Sequence, residues 1–150
     1  MKNLKKITVA LCLLALVNGG LWWYWEKPMP LDSLVPDEQW KKMDLERMLP
    51  ENPVGDLKFE HAPLDEVLAM LPAIRVTRAA GKQHVEDDCF RITLYKGEPW
   101  PTVMYVSSTG RVDIAADLDF DHWKNYEGGE ALYLYLSTLS QTLSGTLPVE

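Results

Sequence analysis

An uncharged apolar run of 19 residues at 7–25 is the feature that most constrains the fold of this chain. A helix of that length, at 1.5 Å per residue, is about 28 Å long, close to the thickness of bilayer hydrocarbon. Lys2, Lys5 and Lys6 precede the run, and every acidic residue follows it. Because Lys and Arg are retained on the cytoplasmic side, the pattern predicts a single anchor with the rest of the chain outside.

The aromatic end of the run favours a retained anchor over a cleaved signal peptide. The run closes with Trp22, Trp23, Tyr24 and Trp25. Such rings have an apolar body and a hydrogen-bonding tip, and they favour the headgroup layer of a membrane. The alternative is a secreted protein, since Val17-Asn18-Gly19 suits a signal peptidase. Cleavage there would leave 21–25 as an aromatic tail in water, which is a poor surface to expose.

The pattern divides the chain into four parts. A cytoplasmic basic tail occupies 1–6, the transmembrane signal anchor 7–25, a Pro-rich linker 26–36 and an extracytoplasmic domain 37–150. The linker holds three of the 10 prolines, which is typical of a semi-stiff spacer. The remaining length suits one modest domain with a single core.

The exterior charge argues against nucleic acid as a partner. Three of the 15 basic residues precede the anchor, which leaves 12 against 22 acidic residues and a formal charge of −10 outside. Such a surface repels nucleic acid and anionic lipid headgroups. The predicted partners are the lipid bilayer, through 7–25, and another envelope or membrane protein, with no nucleic acid.

The segments after the linker predict helices. Asp37 can cap a helix that ends at Pro50, with Trp40, Met43 and Met48 at roughly helical spacing. Pro and Gly residues mark 50–62 as a loop. A second helix begins at Pro63, and its apolar stripe consists of Leu64, Val67, Leu68 and Leu71.

Beyond Pro72 the apolar period falls from about 3.6 residues to two, which predicts a sheet. Four strands are expected, at 74–77, 90–95, 102–106 and 111–121, the last with one packed and one wet face. From Gly129 leucines at helical spacing predict a final helix over the sheet. The fold class is therefore α+β: a single N-terminal transmembrane helix, then one small domain with a roughly four-stranded antiparallel sheet packed by N- and C-terminal helices.

The motif Asp117-x-Asp119-x-Asp121 has the spacing of the first three ligands of a helix-loop-helix calcium site. The rest of that motif is missing. The sixth position requires Gly and is His122, and the twelfth requires a bidentate carboxylate and is Gly128. A solvated strand face is therefore the favoured interpretation, and no metal or cofactor is predicted.

No residue group has the spacing of a known catalytic motif, so no catalytic residue is predicted. The histidines, His61, His84 and His122, are widely separated. Cys89 is the only cysteine outside the anchor, and its position before an apolar strand predicts a buried side chain.

These absences favour a membrane-anchored extracytoplasmic binding or protein-interaction module. Trp100, which lies between two prolines, is the best aromatic candidate for a contact surface. The acid row completes the predicted binding residues: Asp113, Asp117, Asp119 and Asp121. Two alternatives stay open, a small anchored hydrolase without a recognisable motif and an accessory subunit that acts through its anchor.

Overall fold

The structure is a computed structural model that describes residues 2–35, 39–50, 52–81, 88–97, 101–115 and 123–145. Three α-helices are described: α1 (Lys2–Glu26), α2 (Leu64–Met70) and α3 (Glu130–Gly145). Short 3-10 helices follow β1 and α2, at Leu31–Leu34 and Leu71–Ala73. The described strands are β1 (Met29–Pro30), β2 (Lys42–Leu49), β3 (Asn52–Phe59), β4 (Arg75–Arg78), β5 (Cys89–Tyr95), β6 (Thr102–Ser107), β7 (Arg111–Ala115) and β8 (Lys124–Glu127).

These strands form one antiparallel sheet in the order β1-β4-β8-β7-β6-β5-β2-β3. Strands β5 to β8 run as a meander, in which each strand pairs with the next. The hairpin of β2 and β3 adds to β5 on one side, and β4 adds to β8 on the other. The α+β class with an N-terminal apolar helix is confirmed, but the sheet has eight strands and not four.

One face of the sheet carries the hydrophobic core. On β5, Phe90, Ile92 and Leu94 are at most 1% exposed. Fully burying a side chain of this size stabilises the fold by about 1.5 to 3 kcal/mol. The helices cover this face with their own buried residues, which are Val67 from α2 and Leu132 and Leu136 from α3. The predicted helices after Pro63 and Gly129 are thus confirmed as α2 and α3.

Residues 29–35, within the segment 26–36 predicted as a spacer, pack into the domain instead. Met29 and Pro30 pair with β4 as an edge strand. Leu31 is completely buried, and its N–H donates to the carbonyl oxygen of Ile74 at 2.9 Å. Pro30 suits this edge strand, since a proline has no N–H to donate and an edge strand needs donors on one side only. The prediction of a detached linker is therefore wrong for 29–35.

The helix predicted between Asp37 and Pro50 is also wrong, because 42–49 forms β2. Met43 and Leu45 lie on the core face and are fully buried, whereas Asp44 and Glu46 alternate with them. This period of two was present in the sequence, but the helix-forming Leu, Met, Glu and Lys obscured it. Pairing with β5 along seven residues overrides that propensity.

The loop predicted at 50–62 contains strand β3. This strand is the last in the sheet order, so it has one free edge. An edge position tolerates Pro53, which has no N–H to donate to a neighbouring strand. The predicted strands at 74–77, 90–95 and 102–106 are confirmed as β4, β5 and β6. The fourth begins as predicted and is described as far as Ala115, while 116–121 lies outside the described residues.

Two glycines hold the start of α3 against the β6–β7 turn. The N–H groups of Gly128 and Gly129 both donate to the carbonyl oxygen of Gly110, at 3.0 and 2.8 Å. Gly128 has φ of +111°, and a Cβ there would lie 2.4 Å from the carbonyl oxygen of Arg75. Glycine is the residue that adopts such a conformation without steric cost.

Replacing Leu31 tests whether the predicted spacer belongs to the core. Leu31→Ala is expected to lower the free energy of unfolding by about 3 kcal/mol, because it removes a fully buried side chain. The measurement is chemical denaturation of the full chain in detergent. Leu134→Ala is the matched control, since Leu134 is 65% exposed, and its effect should stay within about 0.5 kcal/mol. Equal losses for the two variants would restore the spacer interpretation.

Candidate functional site at the end of the N-terminal helix

Helix α1 exposes its apolar surface along its length. Its segment Lys6–Glu26 is long and apolar enough to cross a membrane, and the share of its apolar window buried by the rest of the protein is 0%. Near its C-terminal end Trp22 and Trp23 are 68% and 59% exposed. Contiguous apolar surface of this extent marks a membrane or interaction site.

Arg78 joins the C-terminal end of α1 to the sheet. Its Nη1 donates to the backbone carbonyl oxygen of Tyr24 at 2.8 Å, and its guanidinium lies 3.9 Å from the centroid of the Tyr24 ring. Carbonyl groups in the last turn of a helix have no donor within the helix, and they form the negative end of its dipole. A cation at this position therefore satisfies both the hydrogen bond and the dipole.

A pocket of about 430 Å³ lies between the end of α1 and the adjoining ends of β4 and β8. We call it the helix-end pocket. Small-molecule sites commonly occupy about 300 to 1,000 Å³, so its size suits a small ligand or a headgroup. Its lining includes Tyr24, Trp25, Arg78, Trp123, Lys124 and Tyr126.

The chemistry of the helix-end pocket suits binding of an anion. Arg78 and Lys124 both line it, and among the described residues neither forms an ion pair with a carboxylate. The residues that line it include no Asp, Glu, His or Cys. Burial raises the pKa of Tyr126 above its usual value, and Arg78 lowers it in part. The two cations therefore favour an anionic ligand in this pocket.

A row of polar side chains crosses the face of the sheet opposite the core. In the spatial order β3, β2, β5, β6, β7 and β8, each of these six strands contributes one residue that lies opposite the residue from the next strand. These residues are Lys58, Glu46, Arg91, Tyr105, Asp113 and Asn125. We call this set the polar row. Glu46 forms an ion pair with Arg91, and Trp123 packs against Tyr105 with ring centroids 5.3 Å apart. Trp123 thus links the polar row to the helix-end pocket.

The charges in the polar row are held by their neighbours. Burial lowers the pKa of Arg91, but its hydrogen bond to Tyr105 and the charge of Glu46 raise it, and the net change is upward. Glu46 is only 7% exposed. Opposite charges on adjacent strands stabilise one register of pairing, so this part of the row has a structural role.

Asp113 is the only predicted binding residue that lies within the described residues, and it is buried. Its exposure is 2%, and Arg111 Nε donates to its Oδ1 at 3.0 Å. The expectation of a solvent-exposed face is therefore wrong at this position, since Asp113 is buried and forms an ion pair with Arg111. Asp113 stabilises β7 and does not present a free carboxylate to a partner.

A second charged cluster ties α3 to the sheet. Arg47 Nη2 donates to Asp88 Oδ2 at 2.8 Å, and Tyr133 Oη donates to the same oxygen at 2.9 Å. Burial raises the pKa of Asp88, but these two hydrogen bonds and the charge of Arg47 outweigh it and lower the pKa overall. The ring of Tyr133 also packs on Phe90 at 5.4 Å. The cluster therefore holds the helix in place with Asp88 ionised.

The remaining predicted binding residues lie outside the described residues. These are Trp100, Asp117, Asp119 and Asp121, so their roles stay predictions. The prediction that Cys89 is buried is confirmed, since its exposure is 0%.

The sequence did not predict the residues that line the helix-end pocket. Arg78 and Lys124 are 46 positions apart in the chain, and they meet because β4 pairs with β8. Strand β8 was not among the predicted strands, since its four residues, Lys124–Glu127, carry no apolar alternation. The aromatic end of the anchor was the one signal in the sequence that pointed to this location.

Comparison with known proteins assigns no function to this site. No protein-family model, curated protein or solved structure matches the chain. Within the described part of the chain, no three His, Cys, Asp or Glu side chains are grouped so as to hold a metal ion. The functional interpretation therefore depends on the geometry of α1, the helix-end pocket and the sheet.

Neutralising Asp113 tests its structural role. Asp113→Asn is expected to lower the free energy of unfolding by about 3 kcal/mol, because it removes the negative charge that the largely buried guanidinium of Arg111 contacts. The matched control is Asp65→Asn on α2, where the side chain is exposed. Denaturation of the full chain in detergent measures both variants. A loss no greater than that of the control would show that Asp113 is free for a partner.

Proposed function

We propose that this protein is a membrane-anchored extracytoplasmic binding module, with α1 as its single membrane span. The observation that carries the proposal is the exposure of the apolar window within Lys6–Glu26, of which the described domain buries 0%. A helix whose apolar window is not buried by the described domain finds an apolar environment in a bilayer. The lysines before it favour a cytoplasmic N-terminus and an external domain.

Contacts at the end of α1 support retention of the anchor. Tyr24 binds Arg78 through both its carbonyl oxygen and its ring, and Trp25 lines the helix-end pocket. Only Lys27 and Pro28 separate α1 from β1. In this proposal the domain therefore stands directly on the outer surface of the membrane. The alternative is cleavage of a signal peptide and release of a secreted domain. Cleavage would leave this aromatic segment exposed to water.

Membrane insertion of α1 can be tested with charged substitutions in its centre. Wild-type chain is expected to remain in the membrane pellet after alkaline carbonate extraction and to keep its N-terminal segment by intact mass. Leu13→Arg combined with Leu16→Arg should move the chain out of the pellet, because each Arg near a helix centre costs about 2.5 to 3.5 kcal/mol on insertion. The control is Leu134→Arg, at a position 65% exposed on α3. A wild-type mass that begins near Gly20 would contradict the anchor.

The proposed partner is an envelope or membrane protein with a basic surface. The exterior carries a formal charge of −10, which attracts and orients cationic surfaces. Trp100 and the acids at Asp117, Asp119 and Asp121 remain the proposed contact residues. Asp113 acts indirectly in this proposal, by fixing Arg111 and strand β7, from which the other acids follow along the chain.

Crosslinking in intact membranes tests this surface. Trp100→Ala combined with Asp117→Asn is expected to reduce crosslinked partner at least fivefold, and raised salt should weaken capture by the wild type. The matched control, Leu134→Ala with Asp65→Asn, changes two exposed residues elsewhere and should capture normally. Equal recovery by the two double variants would eliminate the proposed surface. Replacement of 7–25 by an unrelated membrane span should leave capture of the partner intact. Loss of capture after that replacement would favour the accessory-subunit alternative.

A further inference from the structure

The helix-end pocket lies at the level where a membrane would present its phosphate groups. Tyr24 and Trp25, which line it, belong to the last turn of α1. The apolar run that ends there is about 28 Å long, which matches the bilayer hydrocarbon. With α1 inserted, the pocket opens into the outer headgroup layer, in which Trp and Tyr side chains also prefer to lie.

We propose that the helix-end pocket binds the phosphodiester of one glycerophospholipid headgroup. This proposal rests on the membrane anchoring proposed above. A membrane span can anchor a protein without binding any particular lipid, so the proposed site is an additional, specific contact. Arg78 and Lys124 are the phosphate ligands. A guanidinium can donate two parallel hydrogen bonds to phosphate oxygens, and an ammonium adds a compact positive charge.

Arg78 is held in place by Tyr24 and still has N–H donors available for a ligand. Among the described residues its one hydrogen-bond acceptor is the carbonyl oxygen of Tyr24, whereas a guanidinium has five N–H donors. Its position over the Tyr24 ring, at 3.9 Å, restricts the rotation of the side chain. A ligand that accepts hydrogen bonds therefore meets a partly ordered cation, which lowers the entropic cost of binding.

The local charge of the pocket is opposite to that of the exterior as a whole. The formal −10 outside would repel an anionic headgroup, but charges are screened within about 8 Å at physiological ionic strength. Lys27, which lies over the Trp23 ring at 4.4 Å, adds a third cation near the end of α1. Glu26 and Glu127 are the acids next to the lining residues in the chain, and neither of them lines the pocket.

Phosphatidylglycerol is expected to bind better than phosphatidylcholine. The phosphate of phosphatidylglycerol carries an uncompensated charge that Arg78 and Lys124 can neutralise. Phosphatidylcholine holds its own quaternary ammonium near its phosphate, and that group has no N–H with which to bind protein acceptors. The pocket therefore selects for net charge and not for the phosphate alone.

The test titrates the full chain in detergent with dioleoylphosphatidylglycerol and follows one-to-one adducts by native mass spectrometry. Arg78→Gln and Lys124→Gln are each expected to weaken the first binding event about tenfold, as loss of one charge-assisted contact predicts. Arg75→Gln is the matched control, since Arg75 lies on the same strand, is exposed, and does not line the pocket. Arg78→Lys should recover part of the affinity and guards against a folding defect. Equal binding by wild type and Arg78→Gln, or an equal loss for Arg75→Gln, would overturn the proposal.

Three further measurements distinguish lipid phosphate from free phosphate, test selectivity for headgroup charge, and distinguish failure of the lipid site from failure of the anchor. Inorganic phosphate at millimolar concentration should not displace the lipid, and displacement that depends on Arg78 would assign the pocket to free phosphate instead. Dioleoylphosphatidylcholine should bind more weakly than the glycerol lipid, and equal affinity would overturn the assignment. Carbonate extraction of the same variants should leave all of them in the membrane. Extraction of the wild type would reject the anchor itself, whereas retention without lipid selectivity would reject only the lipid site.

Discussion

The burial of strand β5 between two paired neighbours is the constraint on which the rest of the fold depends. Phe90, Ile92 and Leu94 occupy the core face and are at most 1% exposed. β5 pairs with β2 along one edge and with β6 along the other, since the backbone polar groups of a buried strand must all be hydrogen-bonded. This central position fixes the β2–β3 hairpin on one side and the meander of β6 to β8 on the other.

The opposite face fixes the register of the same strands through charge. Glu46 and Arg91 face each other across β2 and β5, and Arg111 holds Asp113 on β7. Because the side-chain period of a strand is two, a slip of one residue would carry these charges into the apolar core. Buried ion pairs add little net stability. Their contribution here is to make the wrong registers costly.

Strand β4 connects this sheet to the N-terminal helix. It pairs with β1 on one side and with β8 on the other, and Arg78 at its end binds the last turn of α1. Within the described parts of the chain, the exposed helix and the domain consequently meet at the helix-end pocket. The proposed anchoring explains why so much apolar surface lies on α1, and the proposed lipid site gives a role to the cations that face its end.

Sequence patterns predicted those elements whose signal lies within a few neighbouring residues. Helices α2 and α3 have apolar stripes at helical spacing, and the strands from β4 to β7 alternate clearly, so each was found close to its observed position. Strands β2 and β3 were missed because helix-forming residues in one and Pro53 in the other outweigh a period that becomes decisive only through pairing with β5. β1 and β8 are too short to carry any period. None of the residues of the candidate site was predicted as a binding residue, and the sequence indicated only that the aromatic end of α1 favours a membrane interface.

The sequence by itself determined that an apolar helix long enough to span a membrane precedes an α+β domain. These properties depend on composition and on short-range periodicity. Only the tertiary structure decided that 29–35 is part of the core, that Asp113 is buried, and that Arg78 and Lys124 line one pocket with the end of α1. Each of these depends on contacts between residues distant in the chain, and strand pairing, which local propensity does not encode, brings those residues together.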